Sequence, residues 1–350
     1  MSHGTHSRPT GMQILYAATL SGTAAHRAHA LTDLGHHVTA FDFTAYYDNG
    51  GRISRWITWR SLRGATIGRL NNDLLRMARN GRFDLAWFDK AQWVRPETID
   101  QLHALGIACV HYSSDLPSGI RGEPGWRLFR AAANRYDAVV IPSAGHIPEY
   151  EALGVRRHLL MPFGYAPHIH FPPPPQWSDA NRPYDVTFIG TPYEDRPRFL
   201  LDLARNHGVK VKLFGDRWER SLSASELRRL NHETGRYESE YRQAIWQSKI
   251  CLGFVTHAMA HTNARRWTEI AACGGFLLAE HTPHAHQWFD AGREAAFFTD
   301  IGECADQITH YLNSPGEREA IARAGRSRVA TSLSNTELMD RTLCRFLEGS

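Results

Sequence analysis

The stretch Ala264-Arg-Arg-Trp-Thr-Glu-Ile-Ala-Ala-Cys-Gly-Gly-Phe-Leu-Leu-Ala-Glu280 predicts a short helix, a glycine stop and a buried strand. At 3.6 residues per turn, Trp267, Ile270 and Gly274 fall on one side of a helix over residues 265–274, as core-facing residues do. The glycine pair that begins at Gly274 ends this helix, and Phe276–Ala279 begins the strand.

Glu269 points away from the apolar side of this predicted helix, one turn after Arg265. Its small neighbours Ala272 and Cys273 would let a ligand approach the carboxylate. A carboxylate in this setting suits recognition of vicinal hydroxyls, such as those of a ribose. The alternative is a solvent-facing Glu269 that pairs with Arg265 at i, i+4.

Apolar strands alternate with amphipathic helices along the whole chain, which predicts an α/β protein with parallel sheets. In the first half the predicted strands are Gln13–Ala18, His37–Phe43, Asp84–Phe88, Ile107–His111, Ala138–Ile141 and His158–Met161. The helices between them are Ala24–Leu34, Asn72–Asn80, Pro96–Ala104, Gly125–Arg135 and Ile147–Leu153. In the second half the predicted strands are Asp185–Gly190, Val209–Gly215, Ile250–Val255 and Phe276–Ala279. Its helices are Arg196–Asn206, Glu238–Gln247, the helix over 265–274, Glu303–Leu312, Glu317–Arg328 and Thr336–Leu347.

A proline-rich stretch separates the two halves, with four prolines from Pro172 to Pro175. We therefore predict a first domain over 12–165, a linker over 166–184, a second domain over 185–332 and a final helical segment over 333–350. Two doubly wound domains would face a cleft and hold a ligand near the carboxyl ends of their strands.

Composition places the chain among ordinary globular enzymes. It has 350 residues, 42% of them hydrophobic, and a formal net charge of +4. The basic residues look scattered, so we expect no nucleic-acid partner, and no apolar run approaches the ~20 residues of a membrane span. Residues 1–11 read as a disordered tail or a tag. The five cysteines lack a CxxC pair and read as reduced residues of a cytoplasmic protein.

A phosphate site is predicted where the second domain begins. Gly190 ends a strand, Asp195 can cap the next helix, and Arg196 and Arg198 lie in its first turn. Cations at a helix N-terminus are unfavourable unless an anion joins them, so this arrangement suits a diphosphate. The alternative is that both arginines are solvated or pair with nearby acids.

The loop Thr256–Asn263 precedes the helix over 265–274 and should reach the same site. His257 and His261 are four residues apart, but no HExxH motif and no nearby cysteine supports zinc, so we expect no metal. A histidine here suits a hydrogen-bond donor or general acid beside a sugar phosphate. Asn263 and Arg265 complete the predicted donor-binding set.

The second half resembles GT-B-fold glycosyltransferases, and is most similar to the CgeB-like (spore maturation protein CgeB) group related to glycosyltransferase family 4. The resemblance runs through Val186–Gly190, Leu213–Trp218, Ser248–Phe254, Arg266–Gly275 and the segment from Phe297 to Gly325. In the first half only Leu31–Val38 is similar, in outline. The resemblance implies two Rossmann-like domains that face a cleft and a nucleotide-diphosphate sugar bound by the second domain.

Particular residues take roles from this resemblance. It implies that Glu269 holds the ribose hydroxyls, that Gly190 and Arg196 receive the diphosphate, and that the base lies near Phe214, Gly215 and Trp218. Family 4 usually carries a second Glu eight positions before the Glu that corresponds to Glu269. His261 stands at that position, which leaves a retaining or an inverting outcome open. The final helix would return to the first domain.

The first domain should bind the acceptor. Gly22, Thr23 and Arg27 follow its first strand and start a helix, so we expect them on the acceptor side. If the reaction inverts, a first-domain base is required, and His111 or Asp115 are candidates, with Asp89 as another. The alternative for each is a polar strand-end residue that satisfies loop backbone. Four tryptophans suit either sugar stacking or the core: Trp56, Trp59, Trp87 and Trp93.

The sequence therefore predicts a metal-independent glycosyltransferase that moves a sugar from a nucleotide sugar to an unidentified acceptor. Two alternatives stay open: a catalytically silent binding protein of the same fold, and a sugar-nucleotide epimerase of the same fold. A silent protein would bind a nucleotide sugar without turnover.

Overall fold

The computed structural model describes residues 11–47, 51–118 and 124–349, without the side chains of 52–55. It divides into two compact units. Unit 1 contains the chain up to Pro162 together with 258–260 and 335–350, and unit 2 contains 163–257 and 261–334. The predicted tail over 1–11 lies outside the described residues except for Gly11.

Unit 1 is built on a six-stranded parallel sheet in the order β2-β1-β3-β4-β5-β6. The strands are β1 Gln13–Ala18, β2 His37–Asp42, β3 Leu85–Asp89, β4 Ala108–Tyr112, β5 Ala138–Ile141 and β6 His158–Leu160. The helices are α1 Gly22–Asp33, α2 Thr44–Tyr47, α3 Arg52–Ser61, α4 Ala65–Asn80, α5 Pro96–Ala104, α6 Arg127–Ala132, α7 Ile147–Ala152 and, from the end of the chain, α14 Asn335–Glu348. The central strands are buried on both faces, which is why they read as unbroken apolar runs.

Unit 2 is built on a five-stranded parallel sheet in the order β11-β10-β9-β7-β8. The strands are β7 Tyr184–Ile189, β8 Val211–Phe214, β9 Ser248–Gly253, β10 Leu277–Glu280 and β11 Ala296–Phe298. The helices are α8 Arg196–Asn206, α9 Ala224–Arg229, α10 Glu238–Trp246, α11 Arg265–Ala272, α12 Ile301–Asn313 and α13 Pro315–Ala330. Gly274 adopts a φ of 71° just after α11, so the predicted glycine stop is confirmed. The predicted α/β class with parallel sheets is likewise confirmed.

The proline-rich stretch packs along unit 2 rather than hanging free. The indole nitrogen of Trp177 donates to the Trp246 carbonyl at 3.0 Å, and that of Trp246 donates to the Phe171 carbonyl at 3.0 Å. Arg242 donates to the Ile169 carbonyl at 2.7 Å and lies over the Phe171 ring. These contacts with α10 fix the stretch in place, and they bring His170 next to α11.

Sequence patterning missed several short elements. The strand β11 and the helices α2, α3 and α9 were not predicted, and α4 begins seven residues before the predicted Asn72. Elements of three to six residues carry too few apolar positions for a periodic signal. In α3, exposed Trp56 and Ile57 blur the division between an apolar and a polar face.

All five cysteines are free, and four of them are buried. In the part of the chain that the structure describes, no helix combines the length and the apolar character needed to cross a membrane.

A buried ion pair joins helix α1 to the carboxyl end of β3 in unit 1. Nε and Nη2 of Arg27 donate to the two carboxylate oxygens of Asp89 at 2.7 and 3.0 Å. The Tyr16 hydroxyl donates to Asp89 at 2.6 Å, and the Arg27 guanidinium lies 4.2 Å from the centre of the Tyr112 ring. Burial disfavours the charge of Arg27, but the Asp89 carboxylate outweighs it and raises the Arg27 pKa above its ordinary value.

We predict that Asp89→Asn lowers the unfolding midpoint of unit 1 substantially, because it leaves the Arg27 charge buried without a counter-charge. Breaking a buried pair costs about 3–5 kcal/mol. The measurement is urea denaturation followed by circular dichroism. The control is Asp33→Asn, which breaks an exposed pair with His29 and should cost at most about 1 kcal/mol. Equal midpoints for the two variants would contradict the prediction.

Candidate functional site

The sheet of unit 2 has a switch point between β7 and β9. From β7 the chain passes to β8 on one side, whereas β9 leads to β10 on the other side. In open parallel sheets, ligands bind beside such a point, at the carboxyl ends of the strands. Two cavities lie at this edge, one on each side of the loop that follows β7.

The first cavity, the β7–β8 pocket, has a volume of about 140 Å³. It is lined by Ile189, Gly190, Thr191, Phe214, Gly215, Asp216, Arg217, Gly235, Arg236, Tyr237 and Arg266. Three residues of the predicted donor set therefore meet here, namely Gly190, Phe214 and Gly215. Sequence reasoning missed Arg266 and Tyr237.

Two strand ends approach each other closely beneath this pocket. A Cβ atom on Gly215 would lie 2.0 Å from the Gly190 carbonyl oxygen and 2.4 Å from the indole nitrogen of Trp218. The Gly190 amide donates to the Phe214 carbonyl at 2.9 Å. Gly215 is therefore required for the backbone to close at this point.

Trp218 is fully buried and lies behind the β7–β8 pocket rather than in its lining. Its indole nitrogen instead donates to the Gly190 carbonyl at 2.8 Å. Trp218 therefore supports the pocket from behind, as buried indoles commonly do through their single donor.

The alternative of a solvent-facing Glu269 that pairs with Arg265 is wrong. Glu269 is 5% exposed, and Nη1 of Arg266 donates to its Oε2 at 3.3 Å. Nε2 of His170 lies 4.0 Å from the other carboxylate oxygen. The reason is that α11 is covered on both sides, since the proline-rich stretch brings His170 onto the face that sequence patterning left open. Glu269 does not line the pocket.

Arg266 is the residue of α11 that reaches the pocket. Its side chain is 38% exposed, and its guanidinium lies 4.4 Å from the centre of the Tyr241 ring. Burial alone lowers the pKa of Arg266, but Tyr241 and Glu269 outweigh it and raise the pKa above its ordinary value. The site thus presents a permanent positive charge whose orientation is set by Glu269. The Arg-x-x-Glu spacing was the available signal for it.

Arg265 and His261 take other places. The Arg265 guanidinium lies 5.2 Å from the centre of the Phe163 ring, and the His261 ring packs edge-on against the same ring at 5.1 Å. Neither residue lines the two cavities. The donor-binding role of Arg265 stays a prediction.

Asn263 stands just before α11 and is buried. Within the described residues, neither polar atom of its side chain has a hydrogen-bond partner. A buried amide without hydrogen bonds costs free energy, so the Asn263 side chain is available to form hydrogen bonds with a ligand.

The second cavity, the β9–β11 cavity, is larger, at about 450 Å³. It is lined by Glu194, Asp195, Arg196, Arg198, Phe199, Asp202, Phe254, Val255, His257, Glu280, Phe298, Thr299, Asp300 and Ile301. The predicted diphosphate site is therefore divided, since Arg196 and Arg198 lie here and Gly190 lies in the β7–β8 pocket.

Arg196 links the two strand ends at the switch point. Its Nη2 donates to the Val255 carbonyl at 2.9 Å and to the Thr256 hydroxyl at 3.1 Å, and Nη1 donates to the Thr191 carbonyl at 3.4 Å. Its two terminal nitrogens thus bond to loop oxygens, whereas its buried Nε has no hydrogen-bond partner in the described chain. The diphosphate role of Arg196 stays a prediction.

His257 lies between two carboxylates of the β9–β11 cavity. Its Nδ1 is 3.4 Å from Glu194 and its Nε2 is 3.2 Å from Glu280. The side chain is 64% exposed. Among the described residues, no group of three or more His, Cys, Asp or Glu side chains is arranged to hold a metal ion.

The candidate residues of unit 1 mostly have internal partners. Gly22 and Thr23 begin α1 at the carboxyl end of β1, as predicted from their positions. Arg27 is committed to the buried pair with Asp89, so it is not a free acceptor-side cation and Asp89 is not a free base. Asp115 lies after β4, where its carboxylate pairs with Lys90.

His111 is wrongly predicted as a base. It is fully buried, with its ring 4.2 Å from that of Phe129 and 5.1 Å from that of Tyr136, and neither ring nitrogen has a hydrogen-bond partner in the described chain. Burial lowers its pKa to about 3. His111 is a neutral core residue because its position on β4 faces the interior rather than the strand end. Trp87 and Trp93 are buried as well.

The chain is similar in sequence to one protein family, and its fold is similar to that of several solved structures. Residues 196–343 match the family model described as glycosyl transferase-like. The comparison with curated proteins gives no match.

Solved structures show the fold of the whole chain. Sucrose-phosphate synthase from Thermosynechococcus elongatus is 14% identical, with a TM-score of 0.70 over 97% of this chain and 100% of that one. Anabaena HepE in complex with UDP is 14% identical, with a TM-score of 0.64 and the same coverage. The α,α-trehalose 6-phosphate synthase of Burkholderia multivorans is 14% identical, with a TM-score of 0.62 over 97% and 99% of the two chains. The chain has the GT-B fold of these glycosyltransferases, as expected.

We predict that His111 makes the protein lose stability as the pH falls. The unfolded histidine has a pKa near 6.5 and the folded one a pKa of about 3, so the unfolded state binds the proton more strongly. The contribution is complete above pH 6.5 and falls by up to about 1.4 kcal/mol per pH unit below it. His111→Phe, which keeps an aromatic ring in the core, should flatten this part of a urea-midpoint profile measured between the two pKa values. An unchanged slope would show that His111 titrates normally.

Proposed function

We propose that this protein transfers a glycosyl group from a nucleoside diphosphate sugar to an acceptor, and that it belongs with the CgeB-like proteins. The observation that carries the proposal is the β7–β8 pocket, where glycine backbone at two strand ends faces Arg266 at a switch point. This pocket lies in unit 2, which contains most of the glycosyl transferase-like segment 196–343. Anabaena HepE, which has the same fold, has been solved with UDP and with UDP-glucose.

Arg266 is our candidate for direct contact with the nucleotide. A guanidinium offers a planar set of donors that suits phosphate and carbonyl oxygens, and its charge is permanent. Glu269 is a positioning residue in this proposal, because its carboxylate holds Arg266 and does not itself line the pocket. In this proposal Glu269 acts through Arg266, in place of the direct ribose contact that the family resemblance implies.

The diphosphate is proposed to lie between the pocket and the start of α11. Asn263 provides an unpaired buried amide there, and the helix N-terminus provides oriented backbone N–H groups. Transfer would then depend on holding the two substrates in place and on stabilising the charge of the leaving diphosphate. Because these groups take that charge, we propose that no metal ion is needed.

A silent nucleotide-sugar binding protein is the second candidate function. His261 stands where family 4 carries a Glu, and its ring packs on Phe163 instead of lining either cavity. Such a protein would bind the donor and release no diphosphate. Steady-state assays of diphosphate release separate it from a transferase.

We predict that one nucleoside diphosphate raises the melting temperature of the protein, in a panel of UDP, GDP, ADP and TDP with their sugar conjugates. A ligand at about 100 times its Kd adds about 2.7 kcal/mol of stability. Arg266→Gln should abolish that shift, because it removes the positive charge of the pocket. Glu269→Gln should weaken it less, because Arg266 remains but is no longer held.

The matched control for this experiment is Arg228→Gln, which removes an exposed arginine of the same unit outside both cavities. It should leave the shift unchanged. A shift that survives Arg266→Gln would refute the role of Arg266, and a panel without any shift would refute nucleotide binding by the free protein.

We further predict that excess EDTA leaves the transfer rate within the error of the assay, since no step of the proposed reaction uses a metal. The measurement is diphosphate release with the nucleotide sugar that the panel identifies. A rate that collapses in EDTA and returns with added Mg²⁺ or Mn²⁺ would overturn the metal-free proposal.

A further inference from the structure

One segment of unit 1 combines several arginines with no acidic residue. Residues 51–72 contain five arginines and no Asp or Glu. Subtracting these five charges from the formal net charge of +4 leaves −1 for the rest of the chain. The segment is therefore a local excess of positive charge, although 35 of the 40 Lys and Arg residues lie elsewhere in the chain.

Helix α3 displays part of this charge beside exposed apolar side chains. Trp56 is 62% exposed and Ile57 is 51% exposed, and the guanidinium of Arg60 lies 5.7 Å from the centre of the Trp56 ring. Arg63 is exposed just after the helix. Arg127, also exposed, donates through its Nη2 to the Arg60 carbonyl. We call these five residues the α3 patch.

The opposite side of the same segment is anchored in the core. Leu62 is buried, and the partly buried ring of Trp59 packs at 6.2 Å from that of Trp93. The segment therefore has one side fixed in unit 1, and the exposed apolar residues cannot be explained as part of that core. Single exposed apolar residues are common, but adjacent ones among arginines mark a contact surface.

We propose that the α3 patch docks this protein on an anionic membrane surface. The proposal does not rest on the glycosyltransferase activity. Arginines are attracted to the negative potential of acidic lipid headgroups, while tryptophan and isoleucine enter the boundary between headgroups and acyl chains. The lack of any acid from residue 51 to residue 72 means that nothing in the segment opposes this attraction.

The apolar residues favour a membrane over the other anionic partners. A nucleic acid would be held by arginine contacts to phosphates, and its binding would not need the aliphatic side chain of Ile57. An acidic protein surface would offer no apolar layer for Trp56 and Ile57 unless it carried its own matching pocket. A bilayer interface accepts cationic and apolar side chains from one helix face at the same time.

The experiment is sedimentation of the full chain with vesicles of phosphatidylcholine alone or mixed with phosphatidylglycerol. We expect binding to the mixed vesicles only. Raising NaCl from about 0.1 M to about 1 M shortens the screening length from about 10 Å to about 3 Å and should release most of the protein. The double variant Arg60→Gln/Arg63→Gln should lower the partition coefficient about 25-fold, since each basic residue near the surface accounts for about fivefold.

Insertion of the tryptophan is tested separately with brominated lipids, which quench nearby indole fluorescence. The wild type should be quenched on binding, and Trp56→Phe should bind similarly but lose that quenching. Leu105→Ser and Arg323→Gln, which change an exposed leucine and an exposed arginine elsewhere, serve as matched controls and should bind as the wild type does.

Each remaining outcome overturns the proposal. The protein could fail to bind acidic vesicles, or the control variants could lose as much vesicle binding as Arg60→Gln/Arg63→Gln. Fluorescence quenching by brominated lipids could persist in Trp56→Phe. Duplex RNA could compete with the vesicles, with an affinity for the protein that Trp56→Phe and Ile57→Ser leave unchanged. The last result would identify a nucleic-acid surface. Melting curves of every variant show that the protein is folded in each comparison. Nucleotide binding, measured on the same samples, separates failure here from failure of the proposed function.

Discussion

The buried carboxylate of Glu269 is the constraint around which unit 2 is arranged. A carboxylate taken out of water needs a cation and further polar neighbours. Arg266 provides the cation from the same helix, and His170 approaches from the proline-rich stretch. The contacts of the stretch with α10 hold His170 near this carboxylate, and Arg266, which Glu269 holds, reaches the cavity beside β7 and β8. The positive charge at the cavity belongs to Arg266, whose ion-pair partner Glu269 is buried.

The two units treat their charges differently. In unit 1, Arg27 and Asp89 neutralise each other below the surface, and Lys90 pairs with Asp115. In unit 2, Arg266 keeps part of its side chain exposed at the pocket. Of the two arginines in these buried pairs, Arg27 and Arg266, only Arg266 has part of its side chain exposed at a pocket. Arg266 is consequently the better candidate for contact with a ligand.

The fold could be predicted because apolar residues recur at helix or strand spacing over most of the chain. Most strands and helices were found close to their true bounds, and so was the glycine stop after α11, because apolar periodicity and glycine act locally. The partners of individual side chains were harder to predict. The contact of His170 with Glu269 joins residues 99 positions apart, and no local pattern carries it. His111 shows the same difficulty. From the sequence alone, a histidine within an apolar strand cannot be assigned either to the core or to the strand end. Arg266 was within reach, because its spacing to Glu269 places both on one helix side.

The close approach of Gly215 to the Gly190 carbonyl has a consequence for redesign. The floor of the β7–β8 pocket is made of main chain, so its depth cannot be tuned by exchanging side chains at position 215 without moving a strand. Only the walls, which Arg236 and Tyr237 help to form, tolerate such exchange. Laboratory evolution toward a different ligand should therefore accumulate its changes on the loop that precedes α10 and leave the two strand ends untouched.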